Sequence, residues 1–464
     1  MKNRYIDLIE QTFDFPQDGF EVVDNCLYFN GVPMMDVIEQ YGTPLKITYL
    51  PKISSQIQIA KRLFNVAMAK ADYKGNYLYC FCTKASHFEF VLHEALKNDI
   101  HLETSAAFDI TIIKKLFLDG MINKDIFILC NGFKRENYIQ GIVDLWKDGF
   151  TNVIPILDNK QELALYDKAY PKKIQVGIRI ASEEEPNAEF YTSRLGIRAG
   201  ELVDYYKNHI QNNPKVELKM LHFFINTGIK DTAYYWSELN RNINLYCEMK
   251  KICLELEHLD VGGGFPIRTK LDFNYDYQYM ADEIIRQIKS TCEQKEVEEP
   301  NIFTEFGSFT VGESGAVLFS IVGRKQQNDN EVWNMIDSSF ITTLPDTWGI
   351  KQRFILLAIN NWEKDYQRVN LGGMTCDGDD YYIMESVRNR VFLPKTENGS
   401  ETQYLGFFHT GAYQESIGGY GGIQHCLIPA PKHVLIDRDS DGEYTTRLFA
   451  KEQSAKSMMK ILGY

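Results

Sequence analysis

Tyr77-Leu78-Tyr79-Cys80-Phe81-Cys82-Thr83-Lys84 begins as an unbroken aromatic, aliphatic and thiol run and ends on a hydroxyl and an amine. A short apolar run rich in aromatic residues reads as a buried strand, with the lysine just beyond its C-terminal end. Similar runs recur downstream at Ile100 to Glu103, Ile126 to Cys130, Val153 to Leu157, Ile174 to Ile180, Leu218 to Ile225, Leu259 to Val261 and Ile302 to Glu305. Longer segments of helical period separate them, which is the pattern of parallel strands joined by crossover helices. An open doubly wound sheet needs a nucleotide-binding glycine fingerprint after its first strand, and none follows Cys82. The expectation is therefore an α/β chain whose eight strands close into a TIM-like (β/α)8 barrel.

Outward from the barrel the texture changes. After Ser308, Gly, Thr and aromatic residues become frequent, and Phe354 to Ala358 and His433 to Ile436 read as short strands without long helices between them. Residues 20 to 36, with a strand at Cys26 to Phe29 and a turn at Gly31 and Pro33, are expected to join this second region before the chain enters the barrel near Ile47. The predicted organisation is a barrel over 40–310 and a mainly β domain built from 1–39 and 311–464 that completes the active site. No internal repeat or low-complexity tract is visible, and the acidic stretches Glu183 to Glu185 and Glu296 to Glu299 read as solvated loops.

The 464 residues are 44% hydrophobic, enough for substantial cores, and the net charge of -13 repels phosphate backbones. Nucleic acid is thereby disfavoured, and a small or cationic partner fits better. Met1 to Phe13 alternates charged and apolar residues without a signal-like run, and no other stretch approaches a membrane span. Nine cysteines, an odd number without framework spacing, point to free thiols in the cytoplasm.

Barrel enzymes carry their chemistry where the strands end. Burial there is expected to lower the Lys84 pKa and free its amine for Schiff-base chemistry, against the alternative of a snorkelling or salt-bridged lysine. The seventh strand runs into Gly262-Gly263-Gly264-Phe265-Pro266 and the eighth into Glu305-Phe306-Gly307-Ser308. Glycine loops after the last two strands let backbone N–H groups approach an anion, although each alone could be only a tight turn. Together with a buried lysine they suggest a phosphorylated carbonyl cofactor.

These residues resemble the pyridoxal-phosphate decarboxylases of the alanine-racemase fold, which act on basic amino acids and diaminopimelate. Thr343-Leu344-Pro345-Asp346-Thr347-Trp348, Leu371-Gly372-Gly373-Met374-Thr375-Cys376-Asp377 and Gly406-Phe407-Phe408-His409-Thr410-Gly411-Ala412-Tyr413-Gln414-Glu415 are most similar to the arginine-specific, biosynthetic branch. The resemblance implies pyridoxal 5'-phosphate as cofactor. It makes Lys84 the Schiff-base lysine and Glu305 the acid facing the pyridine nitrogen. Gly262, Gly263, Gly264, Gly307, Thr227 and Tyr413 match phosphate-binding positions. Arg179 and Glu103 match polar positions around the ring. Cys376 matches a thiol that reprotonates the α-carbon from the partner subunit of a homodimer, and Asp377 and Asp337 match acids facing the substrate tail.

Two positions depart from the family pattern. Phe224 stands where a stacking histidine is usual, and Ser308 stands where an arginine usually meets the phosphate. Phe224 can stack but not donate, and Ser308 offers only a neutral hydrogen bond. His222, two residues earlier, is read as a satisfied core histidine. The resemblance implies decarboxylation of L-arginine to agmatine in polyamine synthesis. L-citrulline, ornithine, lysine and meso-diaminopimelate remain open as substrates, as does an inert regulatory homologue.

Other motifs are set aside, and no metal is expected. Asp437 to Gly442 opens like a calcium loop but has Leu448 where a bidentate glutamate is required. Gly418-Gly419-Tyr420-Gly421-Gly422 follows no βαβ strand and is expected to shape a loop by the active site. Cys80 and Cys82 read as core thiols.

Overall fold

A computed structural model describes residues 15–184, 189–329, 331–382, 390–396 and 401–464. Met1 to Phe13 and Glu185 of the acidic stretch lie outside the described residues. The chain divides into two compact units, one of Ser54–Pro266 with Tyr275–Thr310, the other of Met1–Ile53, Ile267–Asn274 and Val311–Tyr464.

The first unit is a closed parallel barrel. Its strands are β1 (Tyr77–Cys82), β2 (His101–Thr104), β3 (Ile128–Cys130), β4 (Val153–Leu157), β5 (Ile174–Ala181), β6 (Val216–Phe223), β7 (His258–Asp260) and β8 (Asn301–Phe306). Neighbours pair in this order, and β8 pairs back onto β1 to close the ring. Every strand lies where its apolar run places it, to within two residues. Crossover helices such as Ala107–Leu118, Ala233–Ile252 and Tyr277–Lys295 run between the strands. The helix Ala233–Ile252 starts where the Thr232 hydroxyl accepts from Tyr235 N at 3.1 Å, satisfying one of its orphan donors. Cys80, Leu129, Ile154, Ile156, Met220 and Phe303 form one buried cluster, so the barrel has a packed core rather than a pore. Cys80 and Cys82 are buried free thiols, as the sequence suggests.

Register explains how residues distant in sequence meet. Cys82 on β1 pairs with Glu103 on β2. On β6, His222 is level with Arg179 of β5 and with Asp260 of β7. All of these positions lie towards the C-terminal ends of their strands.

In the second unit, a sheet is built around the long strand Gly315–Asn328. The strand Leu45–Tyr49 pairs antiparallel with it on one side and parallel with Lys432–Arg438 on the other. Ile47 therefore does not mark the start of the barrel, contrary to expectation. Leu45-Lys46-Ile47-Thr48-Tyr49 is buried along its whole length yet alternates apolar with polar residues, the two-residue period of a sheet strand and not the unbroken apolar run of a barrel strand. Ala316 and Leu318 join one apolar cluster with Leu27, Phe29, Ile47 and Val434, while Val317 and Phe319 join another with Phe340, Tyr382 and Phe407. That alternation is the two-residue period of a strand covered on both faces. Cys26–Phe29 forms a strand in a small three-stranded sheet, and Asp439 to Gly442 turns the chain between Lys432–Arg438 and Tyr444–Ala450.

Candidate active site

At the C-terminal mouth of the barrel, the Lys84 amine donates to Glu103 Oε2 at 2.9 Å. The Lys84 side chain is 41% exposed, whereas Glu103 is fully buried. Burial works against the ammonium, but the charge of Glu103, helped by Glu305, outweighs it and raises the Lys84 pKa well above the ordinary lysine value. The expected downward shift is therefore reversed, because a carboxylate across the strand pair compensates the desolvation. Burial in turn pushes Glu103 up to about 7 despite the lysine, and its Oε1 has no hydrogen-bond partner.

Glu305 lies buried among polar neighbours. Asn131, the residue after β3, donates from Nδ2 to its Oε1 at 3.1 Å, and His222 Nε2 is 3.2 Å from its Oε2. Burial opposes its ionisation, yet His222, Lys84 and Arg179 together hold its pKa down at about 2. Burial lowers the His222 pKa, so its imidazole is neutral with the proton on Nε2 facing the carboxylate. Its Nδ1 has no partner, so the reading of a satisfied core histidine is corrected. Asp260, whose Oδ1 accepts from Gly262 N at 2.8 Å, is pushed well up by burial and by Glu305. Ligand atoms of His222, Asp260 and Glu305 lie within 4.8 Å of one another. Asn131 and Asp260 escaped the sequence reading as site residues. Their signal was a polar side chain at the end of an apolar strand, a position that folding disfavours without a use for it.

The glycine loops are sterically dictated. A Cβ on Gly263 would stand 1.9 Å from the Glu305 carbonyl oxygen, and one on Gly264, which has φ +108°, would stand 2.6 Å from Gly228 Cα. The loops after β6 and β7 and the end of β8 thus approach each other closer than any side chain permits. Thr227, on the first of them, has a buried Oγ1 with no partner. Gly307 and Ser308 follow β8, and the Arg179 guanidinium lies over the Phe224 ring at 5.9 Å. An amine, a buried anionic carboxylate, crowded glycine loops and orphaned polar atoms at Thr227, His222, Asp260 and Glu103 fit a ring that carries an aldehyde, a basic nitrogen and a phosphate. His222→Phe removes the donor to Glu305 and should cost about 1–3 kcal/mol of stability, read from urea unfolding of the cofactor-free protein, with His222→Gln restoring part of it. A neutral result would show that the contact is idle.

The remaining expected residues belong to the β-rich unit. Cys376 and Asp377 sit together on an exposed turn, where Asp377 Oδ2 meets His425 Nε2 at 3.0 Å and Cys376 Sγ is 3.9 Å from Cys426 Sγ. Asp380 braces that turn, accepting from Thr375 Oγ1 at 2.7 Å and from Phe340 N at 2.8 Å. Asp337 is held by Ser320, whose hydroxyl donates to Oδ2 at 2.7 Å, and Met374 N donates to Ser338 O at 2.9 Å, which keeps the two loops adjacent. Tyr413 stands at the start of the short helix Gln414–Gly418 with φ 68°. The loop Gly418 to Gly422 follows that helix.

A parallel barrel with an amine and an ionised glutamate at its mouth defines the class of enzymes that hold a pyridoxal cofactor in a TIM-like barrel. The family model described as "Pyridoxal-dependent decarboxylase, pyridoxal binding domain" matches residues 57–312, and the chain belongs to that family, with pyridoxal phosphate as its cofactor. Among curated relatives, a biosynthetic arginine decarboxylase of Prochlorococcus marinus (strain AS9601) is 21% identical, the match covering 92% of this chain and 83% of the relative. Among solved structures, the biosynthetic arginine decarboxylase of Campylobacter jejuni superposes with a TM-score of 0.80 at 19% identity, covering 97% of this chain and 89% of that one. The diaminopimelate decarboxylase of M. jannaschii in complex with L-lysine gives 0.76 at 19% identity, covering 94% and 96%. No helix among the described residues is long and apolar enough to cross a membrane.

Proposed function

We propose that this chain removes the α-carboxylate of a basic amino acid, L-arginine, yielding agmatine and CO2 for polyamine synthesis. The observation that carries the reading is the Lys84 amine held 2.9 Å from Glu103 at the barrel mouth, with Glu305 ionised among the strand ends. Pyridoxal phosphate, when bound, supplies a ring that takes up the electron pair left behind by CO2. Lys84 would hold the cofactor through its amine, with Glu103 beside it as an acceptor for the amine's proton. Glu305 would favour a protonated pyridine nitrogen, and Phe224, with Arg179 over its ring, would offer the cofactor an apolar face. Backbone N–H groups at Gly262, Gly263, Gly264 and Gly307, with the hydroxyls of Thr227 and Ser308, would hold the phosphate without a cationic side chain from position 308, and the family resemblance adds the phenol of Tyr413.

Cys376, contributed by the partner subunit of a homodimer, delivers the proton to the α-carbon, a task suited to a thiol whose ordinary pKa lies near the working range. Complementation tests this: mixing inactive Lys84→Ala and Cys376→Ala proteins should restore turnover by forming one intact site, whereas no recovery in a mixed dimer would place both residues in one subunit's site. The nine cysteines, all free thiols, fit a reducing cytoplasm.

The substrate assignment draws on the arginine decarboxylases among the relatives and on Asp377, an acid beside Cys376 that favours a cationic tail. Fold likeness alone does not choose, since the structural neighbours include arginine and diaminopimelate decarboxylases. CO2 release should be fastest with arginine when arginine, citrulline, ornithine, lysine and meso-diaminopimelate are compared. Asp377→Asn should lower the arginine-over-citrulline preference by about 10- to 100-fold. Preference of the unaltered enzyme for citrulline would overturn the arginine assignment while leaving the chemistry intact.

A further inference from the structure

The turn that carries Cys376 has a second thiol facing it. Cys426 Sγ lies 3.9 Å from Cys376 Sγ, and both residues are exposed. The backbone spends strain to bring it there: Cys426 and Leu427 are consecutive left-handed residues, with φ 52° and 53°, and neither is glycine. His425 Nε2 lies 3.5 Å from Cys426 Sγ and 3.0 Å from Asp377 Oδ2, so an imidazole oriented by a carboxylate stands beside the thiol pair. Such a neighbour can accept the proton that a thiol gives up as it reacts. Desolvation and a hydrogen bond to Cys376 raise the Cys426 pKa.

We propose that Cys376 and Cys426 form an oxidant-reactive dithiol that a hydroperoxide closes into a reversible disulfide. The Cys376 thiolate attacks the terminal oxygen of the hydroperoxide and breaks its O–O bond, releasing an alcohol and leaving a sulfenic acid on Cys376. Cys426 then attacks that sulfur as thiolate, and the displaced hydroxide leaves as water with the proton Cys426 gave up. Two thiols and one hydroperoxide thus become one disulfide, one alcohol and one water. An external dithiol reverses the bond by exchange.

The buried pair Cys247 and Cys292 provides an internal contrast. Its sulfurs are also 3.9 Å apart, but both residues are buried and no oxidant reaches them. The effect on catalysis rests on the proposed role of Cys376, because a sulfur held in a disulfide has no proton to deliver.

The test treats the cofactor-loaded enzyme with a modest excess of tert-butyl hydroperoxide, then maps peptides and assays CO2 release before and after dithiothreitol. A peptide cross-linked between 376 and 426, no link between 247 and 292, and activity lost on oxidation and regained on reduction are expected. Cys426→Ser should start with unaltered activity, then lose it to the oxidant without recovery, because the sulfenic acid on Cys376 goes on to sulfinic acid when no second thiol traps it. Oxidation of Cys376 to sulfinic acid in the unaltered enzyme, with no cross-linked peptide, would overturn the proposal. A cross-link formed with turnover unchanged would uphold the dithiol and remove Cys376 from the reaction, which separates the two ideas.

Discussion

Lys84→Ala is expected to abolish decarboxylation, lowering turnover about a thousandfold or more, and to remove the pyridoxyl label that borohydride otherwise leaves on the peptide containing residue 84. Lys84 presents a half-exposed amine at the mouth, whereas the Lys134 amine nearby is buried and ion-paired with Glu162 at 3.0 Å, and Arg179 keeps its proton throughout the working range. Lys84→Arg should be equally inactive although it retains a cation beside Glu103, and this separates covalent chemistry from electrostatics. The two variants should differ in proton uptake. With alanine at 84, Glu103, already pushed up to about 7 by burial, loses the ammonium that opposes that shift and stays protonated to higher pH. With arginine it does not. Lys84 also carries a pH signature in the cofactor-free protein. Its folded pKa is raised, so its contribution to stability is full below the unfolded value of about 10.4 and is lost as pH rises through the folded one. The alanine variant should lack that alkaline loss. Measurable turnover in either variant, or a label mapping elsewhere, would remove Lys84 from the chemistry.

The barrel was legible in the sequence because each strand is a short apolar run bounded by helical segments, and the polar residues that end those runs are where the site lies. Lys84 and the glycine loops after Val261 and Phe306 could be picked out on that basis, while Glu103 and Glu305 took their roles from the family resemblance. What linear reading missed depends on register. The pKa of Lys84 moves upward because Cys82 pairs with Glu103, bringing a buried carboxylate across the strand pair. His222 looked like core because the strand around it is apolar. Only its pairing with Asp260 on β7 and Arg179 on β5 shows that it lies level with the polar ring around Glu305. The chain was expected to enter the barrel near Ile47, but Leu45–Tyr49 pairs with Gly315–Asn328 and Lys432–Arg438, partners far along the chain that no local pattern reveals. In the β-rich unit, motif similarity singled out Cys376 and Asp377, while Cys426 and His425, 50 residues on from the thiol, carried no pattern that pointed back to them.

Glu305→Gln should reduce turnover by about 10²- to 10³-fold while leaving the cofactor attached to Lys84, seen as a retained borohydride label with a shifted visible absorption. The reason lies in how firmly this carboxylate is kept ionised. Although burial disfavours its charge, His222, Lys84 and Arg179 hold its pKa at about 2, so it is an anion at every pH at which the enzyme works. An anion there makes a protonated ring nitrogen favourable, and a neutral amide does not. A glutamine keeps the volume, can accept from Asn131, and can donate to His222 Nε2 once the imidazole proton moves to Nδ1, so the loss reports charge rather than packing. The acid limb gives an independent reading. A depressed folded pKa contributes stability that is present above the unfolded value of about 4.3 and is lost as pH falls through about 2. Acid unfolding of the cofactor-free Glu305→Gln protein should therefore show a weaker dependence on pH between those values than the unaltered protein. If turnover and absorption were both unchanged, the ring nitrogen would have to draw its proton's stability from another group, and Asp260, whose pKa burial and Glu305 push upward, is the less suited to provide it.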